Sequence, residues 1–185
     1  MKKSYDYFKT LKLLSESVSV IYKKTLLKQD YSSEKIIFSA EKSELINNLK
    51  NEFITPFERG DIFLLEENIT EELDSVLSFQ DYYNLSVKID SGIFLKAEKH
   101  LITQTDIFSD LKNFKSNLKL FEQCSDEIKN LNSFKRKVEG LVIEELKCKN
   151  EQSFVKYAMY SALLDLNKKA YKTILQIERI LLENS

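Results

Sequence analysis

Glycine and proline are almost absent from this sequence. Its 185 residues include three Gly and one Pro, although Gly alone makes up ~7% of an average protein. A β-sheet protein of this length needs many tight turns, which depend on Gly, Pro and pairs such as Asn-Gly or Asp-Gly. Neither pair occurs in the sequence. The composition therefore predicts an all-α protein built from a few long helices.

Apolar residues recur at three- and four-residue spacing in six segments, as in amphipathic helices. We expect helices over residues 5–28, 34–53, 56–88, 93–113, 115–147 and 151–182. A helix of about 30 residues spans ~45 Å, so these helices should lie side by side in one elongated bundle domain covering 1–185. Residues 5–88 and 93–182 each hold three helices, which predicts a pseudo-repeat of a three-helix unit.

The same spacing predicts which side chains enter the core. The third helix should bury Ile62, Leu65, Ile69, Leu73 and Val76. The second should bury Ile37, Leu45, Ile46 and Leu49, and the stripe of the last helix should begin at Phe154 and Tyr157. We expect some aromatic side chains to remain exposed as contacts with other proteins, with Tyr82 and Tyr83 as candidates.

The only proline, Pro56, lies in a pattern typical of a helix start. Thr55 precedes it and Glu58 follows Thr55 by three residues. A threonine N-cap, a proline at the first helical position and a glutamate at the third form a capping box. We therefore expect the third helix to begin at Pro56.

Charge and cysteine content exclude several classes of protein. The 28 basic and 29 acidic side chains leave a net charge of -1, so no overall positive field attracts nucleic acid. Cys124 and Cys148 lack the spacing of a metal site, and two unpaired thiols fit a reducing compartment. Because no apolar run approaches the ~20 residues of a membrane span, we expect a cytoplasmic protein without membrane insertion.

The chain offers little for catalysis. A di-iron site in a helical bundle needs Glu-x-x-His on two helices, but His100 is the only histidine and Ala97 stands three residues before it. Glycine is too scarce for a phosphate-cradling loop. We therefore expect a non-enzymatic protein in which His100 is an ordinary surface or half-buried residue.

Residues 53–62 read Phe-Ile-Thr-Pro-Phe-Glu-Arg-Gly-Asp-Ile, and Leu65, Ile69, Glu71 and Asp74 follow. This segment resembles the signature of the PhoU-like accessory proteins of Pit-type phosphate transporters. The matching residues are Phe53, Ile54, Thr55, Pro56, Arg59 and Asp61. The resemblance implies two three-helix halves and a regulatory role in phosphate uptake. Asp61 suits the positive end of the helix dipole, and Arg59 can pair with Asp61 or Glu58. Alternatively, Arg59 would meet phosphate or an acidic group of a partner.

The family's metal-binding acids are mostly replaced in this chain. Positions that correspond to its acidic motifs hold Ile37, Phe38, Ser39, Gly60, Thr70, Asn132, Phe134, Arg136 and Lys169. Arg136 and Lys169 would place positive charge where a divalent ion should sit. The resemblance therefore implies a divergent member that has lost most metal binding.

Glu67, Glu71 and Asp74 form one stripe of the third helix, nearly opposite its apolar stripe. Three carboxylates could hold a hard cation such as Mg²⁺ or Ca²⁺ weakly, or simply form a solvated face. We expect no tightly bound cofactor.

The resemblance implies a non-enzymatic cytoplasmic regulator, peripheral to the inner membrane, that docks to a Pit-type phosphate transporter, and we expect the protein to form a homo-oligomer. Two alternatives stay open. One is a metal-binding bundle that keeps the Glu67, Glu71 and Asp74 site, and the other is a helical scaffold whose function has moved away from phosphate.

Overall fold

The computed structural model describes residues 5–51, 55–85, 91–116, 118–148 and 150–184. Over these ranges the chain is helical, without β-strands, which confirms the predicted all-α class. The helices are α1 (Tyr7–Leu26), α2 (Ser32–Asn51), α3 (Arg59–Tyr83), α4 (Gly92–Asp110), α5 (Leu118–Lys147) and α6 (Glu151–Glu183), with a short 3-10 helix at Leu111–Ser116 between α4 and α5.

Side-chain caps fix the starts of α1 and α6. Asp6 Oδ1 accepts a hydrogen bond from the Lys9 backbone N–H at 3.0 Å, and Asn150 Oδ1 accepts one from the Ser153 N–H at 2.8 Å. Each bond satisfies a backbone donor that the first helical turn leaves without an intrahelical acceptor.

The predicted capping box at Thr55 is wrong. α3 begins three residues later, with Glu58 as its N-cap. The Thr55 hydroxyl donates to the Phe57 carbonyl oxygen at 2.7 Å, so it folds the connection onto itself instead of accepting from a helical N–H. Pro56 lies in the bend before the helix, and buried Phe57 anchors that bend in the core.

The bundle is organised around α1 and α6. α1 packs against α2, α3 and α4, and α6 packs chiefly against α3 and α5. Every residue of the predicted α3 stripe is buried, and so are Leu45 and Leu49 of α2. Other predicted core positions differ: Ile37 is exposed while its neighbour Phe38 is buried, and Phe154 is 68% exposed. Ile46 and Tyr157 are half-buried.

An aromatic cluster closes one end of the core. The Phe79 ring centroid lies 5.4 Å from Tyr22, 5.3 Å from Tyr83 and 5.4 Å from Phe94. The Tyr83 hydroxyl also donates to the Leu26 carbonyl oxygen at 3.4 Å. Tyr82 and Tyr83 are half-buried, so the expectation that they form an exposed contact surface is corrected.

Within the described ranges, none of the helices combines the length and apolar character that crossing a membrane requires. The α2 end at Phe53 and the α3 end at Lys88 that we predicted lie outside the described residues. The division into halves 5–88 and 93–182 stays a prediction.

Candidate functional site

An open cleft lies between α4 and α5. α4 packs mainly on α1 while α5 packs mainly on α6, and the direct contact between α4 and α5 is smaller. The cleft has a volume of about 450 Å³. Every lining residue except Phe134 carries a polar or charged group. The lining comes from α4 residues Lys96, Lys99, His100 and Thr103 and α5 residues Gln123, Asp126, Glu127, Asn130, Ser133, Phe134 and Lys137.

A histidine–glutamate pair forms the floor of the α4–α5 cleft. His100 Nδ1 donates to Glu127 Oε1 at 2.6 Å, and Asn130 Nδ2 lies 3.4 Å from Glu127 Oε2. The imidazole packs on Phe134, with ring centroids 5.1 Å apart. Since Glu127 is buried and holds Nδ1, Nε2 is the ring nitrogen left for other contacts, and no hydrogen bond between described residues involves it.

Three lysines surround this pair. Lys96, Lys99 and Lys137 are exposed, and the ion pairs found among the described residues include none of them. The cleft acids, in contrast, have partners. Asp126 meets Lys129 at 2.9 Å, and Glu127 meets His100. The cleft therefore presents cations whose charge the described protein groups leave uncompensated.

An unsatisfied acceptor lies beside these cations. Gln123 Oε1 is buried and has no hydrogen-bond partner among the described residues. A buried carbonyl without a donor costs free energy comparable to a lost hydrogen bond. A bound molecule with an N–H or O–H group would remove that cost.

Among the described residues, Cys124 is the cysteine that adjoins the cleft lining, and its thiol is unreactive. Cys124 adjoins Gln123 in α5 and is fully buried, and burial together with the charge of Glu178 raises the pKa of its thiol to about 12. A thiol of such high pKa supplies almost no thiolate near neutral pH. Cys124 is therefore not a nucleophile for chemistry in the cleft.

A second polar group lies at the centre of the bundle. Glu72 of α3 is fully buried, and Gln104 Nε2 of α4 donates to its Oε2 at 2.8 Å. The Thr173 hydroxyl of α6 contacts Oε1, and Ser15 of α1 lies 3.4 Å from Gln104 Nε2. We call Ser15, Glu72, Gln104 and Thr173 the central polar cluster, because it joins four helices.

Burial raises the pKa of Glu72 from 4.5 to about 7, against the smaller lowering effect of its bonds to Thr173 and Gln104. The proton of a neutral Glu72 carboxyl group has a hydrogen-bond acceptor here. Its hydroxyl can donate to Thr173, whose own hydroxyl lies 3.2 Å from the Lys169 carbonyl oxygen. The carboxyl group is therefore mostly neutral below pH 7 without an unpaired proton.

The signature residues lie at the start of α3. Phe53 and Ile54 are outside the described residues, while Thr55 and Pro56 form the bend before α3. Asp61 is buried and accepts a hydrogen bond from Gln176 Nε2 of α6 at 2.7 Å. Arg59 is exposed. Asp61 thus ties α3 to α6, and Arg59 faces outward.

The three acids predicted as a remnant metal site do not converge. Glu67 and Asp74 are exposed, while Glu71 Oε2 lies 2.8 Å from Lys169 Nζ of α6. The hydrogen bond with Glu71 and the charges of Glu71 and Asp165 raise the pKa of Lys169. Within the described residues, no three or more His, Cys, Asp or Glu side chains are grouped in a way that could hold a metal ion.

Sequence reasoning missed both polar centres. Glu72 follows Ile69 by three residues and precedes Val76 by four, so its helical position already lay on the buried stripe. Lys96, Lys99, His100 and Thr103 likewise share one face of α4 by spacing. No local pattern connects His100 with Glu127, because they lie on different helices.

No protein-family model matches this sequence, and no curated protein matches it as a relative.

Proposed function

We propose that this chain is a non-enzymatic cytoplasmic accessory protein that regulates phosphate uptake by docking to a Pit-type transporter at the inner membrane. The observation that carries the proposal is the resemblance of residues 53–62 to the signature of PhoU-like accessory proteins. The all-helical bundle is compatible with that family's architecture. In this proposal the protein acts as a homo-oligomer.

We assign different roles to the two charged signature residues, a structural role to Asp61 and a contact role to Arg59. Asp61 accepts from Gln176 inside the bundle, so its role is to hold α3 against α6. Arg59 stands exposed in the first turn of α3, where a guanidinium can pair with a carboxylate of a partner. We assign Arg59 to the transporter contact.

The alternative of a metal-dependent regulator is disfavoured by Lys169. Its ammonium occupies the side of Glu71 where a divalent ion would need a free carboxylate, and like charges repel at such distances. Docking in this protein is therefore proposed to proceed without a metal ion at Glu67, Glu71 and Asp74.

A pull-down from native membranes tests the docking. The full-length protein should capture a phosphate transporter, and deletion of its gene should change phosphate uptake. R59E should weaken capture, because it reverses the charge proposed to meet the transporter. R136E is the matched control, since Arg136 is also exposed but lies on α5. Unaltered phosphate uptake in the deletion strain, together with no transporter captured, would refute the proposal.

A further inference from the structure

The α4–α5 cleft has the properties of a ligand site that the docking role does not use. On α4, Lys96, Lys99, His100 and Thr103 follow the spacing of one helix face. The opposite face buries Phe94, Ala97 and Leu101 in the core. The cleft side chains are thus held on a rigid helix whose position is fixed by packing.

The charges of the cleft favour an anion. Three ammonium groups line it, and the two carboxylates are already engaged by Lys129 and His100. Lysine ammonium groups bind phosphate as point charges on flexible stems. Several uncompensated cations around one concave site raise the local concentration of anions and bind a dianion better than a monoanion.

An acceptor in the cleft favours an anion that also carries hydrogen-bond donors. Gln123 Oε1 has no hydrogen-bond partner among the described residues, and Gln123 belongs to the cleft lining. A fully deprotonated oxyanion such as sulfate cannot donate to this oxygen. Hydrogen phosphate, or a phosphate monoester with hydroxyl or amino groups, can donate to it.

We propose that the α4–α5 cleft binds a small phosphate-bearing anion, either inorganic phosphate or a phosphate monoester. The cleft volume of about 450 Å³ lies within the range of roughly 300–1,000 Å³ that small-molecule sites occupy, so both sizes fit. Lys96, Lys99 and Lys137 neutralise the phosphate charge, His100 contacts it through Nε2, and Gln123 accepts a hydrogen bond from it.

This inference rests on the proposed function only for the choice of inorganic phosphate as a probe, because the side chains that line the cleft define the site. Binding is measured without a transporter. A cleft that binds nothing would leave the docking proposal intact, and a failed docking experiment would leave measured binding intact.

Isothermal titration of the purified full-length protein tests the inference. In a phosphate-free buffer at constant ionic strength, the titrants are inorganic phosphate, adenosine monophosphate and sulfate. We expect saturable binding of at least one phosphate compound, and about tenfold weaker binding of sulfate, equivalent to 1.4 kcal/mol. Binding of inorganic phosphate identifies the free ion as the ligand class, and binding of adenosine monophosphate alone identifies an ester.

Three variants connect the binding to the cleft. K99A and K137A should each weaken binding several-fold, because each removes one of three compensating charges. K119A is the control, since Lys119 is an exposed lysine of α5 outside the cleft. All three residues are exposed on helices, where alanine is well tolerated. No saturable binding up to roughly 10 mM, sulfate binding as tight as phosphate binding, or equal losses in K137A and K119A would overturn the inference.

Discussion

Replacement of Glu72 by glutamine should make the protein more stable at pH 8 but not at pH 5. Burial raises the pKa of Glu72 from 4.5 to about 7 in the folded protein, whereas the unfolded chain keeps the ordinary value. Between these two values the folded state holds a proton that the unfolded state has lost. The stability that this group contributes is therefore complete below pH 4.5 and is lost as the pH rises to 7.

The size of the effect follows from the difference in pKa. One unit corresponds to about 1.4 kcal/mol, so full ionisation of Glu72 costs about 3 kcal/mol, most of it between pH 5 and pH 8. Glutamine keeps the shape without the charge. Its amide can accept from Gln104 and donate to Thr173, the two groups that contact Glu72 now.

Urea denaturation of the wild-type protein and E72Q at both pH values provides the measurement. The free energy of unfolding of E72Q, measured relative to that of the wild type, should be about 2–3 kcal/mol higher at pH 8 than at pH 5. The gain corresponds to roughly 5–10 °C in the midpoint of thermal unfolding.

E66Q is the matched control. Glu66 is also buried in α3, but its carboxylate lies 2.9 Å from Lys42 Nζ. Removal of that charge leaves Lys42 with the Thr70 hydroxyl but without a carboxylate partner, so E66Q should lose stability at pH 8. The reasoning about Glu72 is refuted if E72Q differs from the wild type by the same amount at pH 5 and pH 8.

Three further predictions concern other parts of the fold. F79A should lower the free energy of unfolding by about 3–5 kcal/mol, because Phe79 is the centre of the aromatic cluster; a loss below about 1 kcal/mol in urea denaturation would contradict that role. N150A should cost about 1 kcal/mol by removing the α6 cap, and N150D should restore it, since aspartate caps equally well. A thiol reagent should modify exposed Cys148 in the folded protein and reach Cys124 only after unfolding, because Cys124 is buried with a pKa raised to about 12; mass spectrometry distinguishes the two sites.

The fold class could be read from the sequence because helices depend on local information. Few glycines and apolar residues at helical spacing describe each helix separately, and the predicted start of the last helix at residue 151 agrees with α6 (Glu151–Glu183). The start of α3 was wrong for a physical reason. Thr55 has two hydrogen-bonding options, and the sequence pattern does not tell whether its hydroxyl accepts from a helical N–H or donates to Phe57.

The candidate site could not be predicted in the same way. Helical spacing places the three α4 residues Lys96, Lys99 and His100 on one face, but the cleft between α4 and α5 depends on how α4 packs against α1 and α5 against α6. The partner of His100 is likewise a property of the tertiary structure. A carboxylate 27 positions along the chain becomes its neighbour only when the helices assemble.

The central polar cluster also limits how the helices can slide past one another. A shift of α6 by one turn would carry Thr173 about 5.4 Å along the axis, away from Glu72, and leave the carboxyl group without that hydrogen-bond partner. Equivalent shifts of α4 would remove Gln104. Apolar stripes alone tolerate such displacements, because leucine and isoleucine side chains can pack in several registers. The buried Glu72 carboxyl group therefore selects a single register for the bundle.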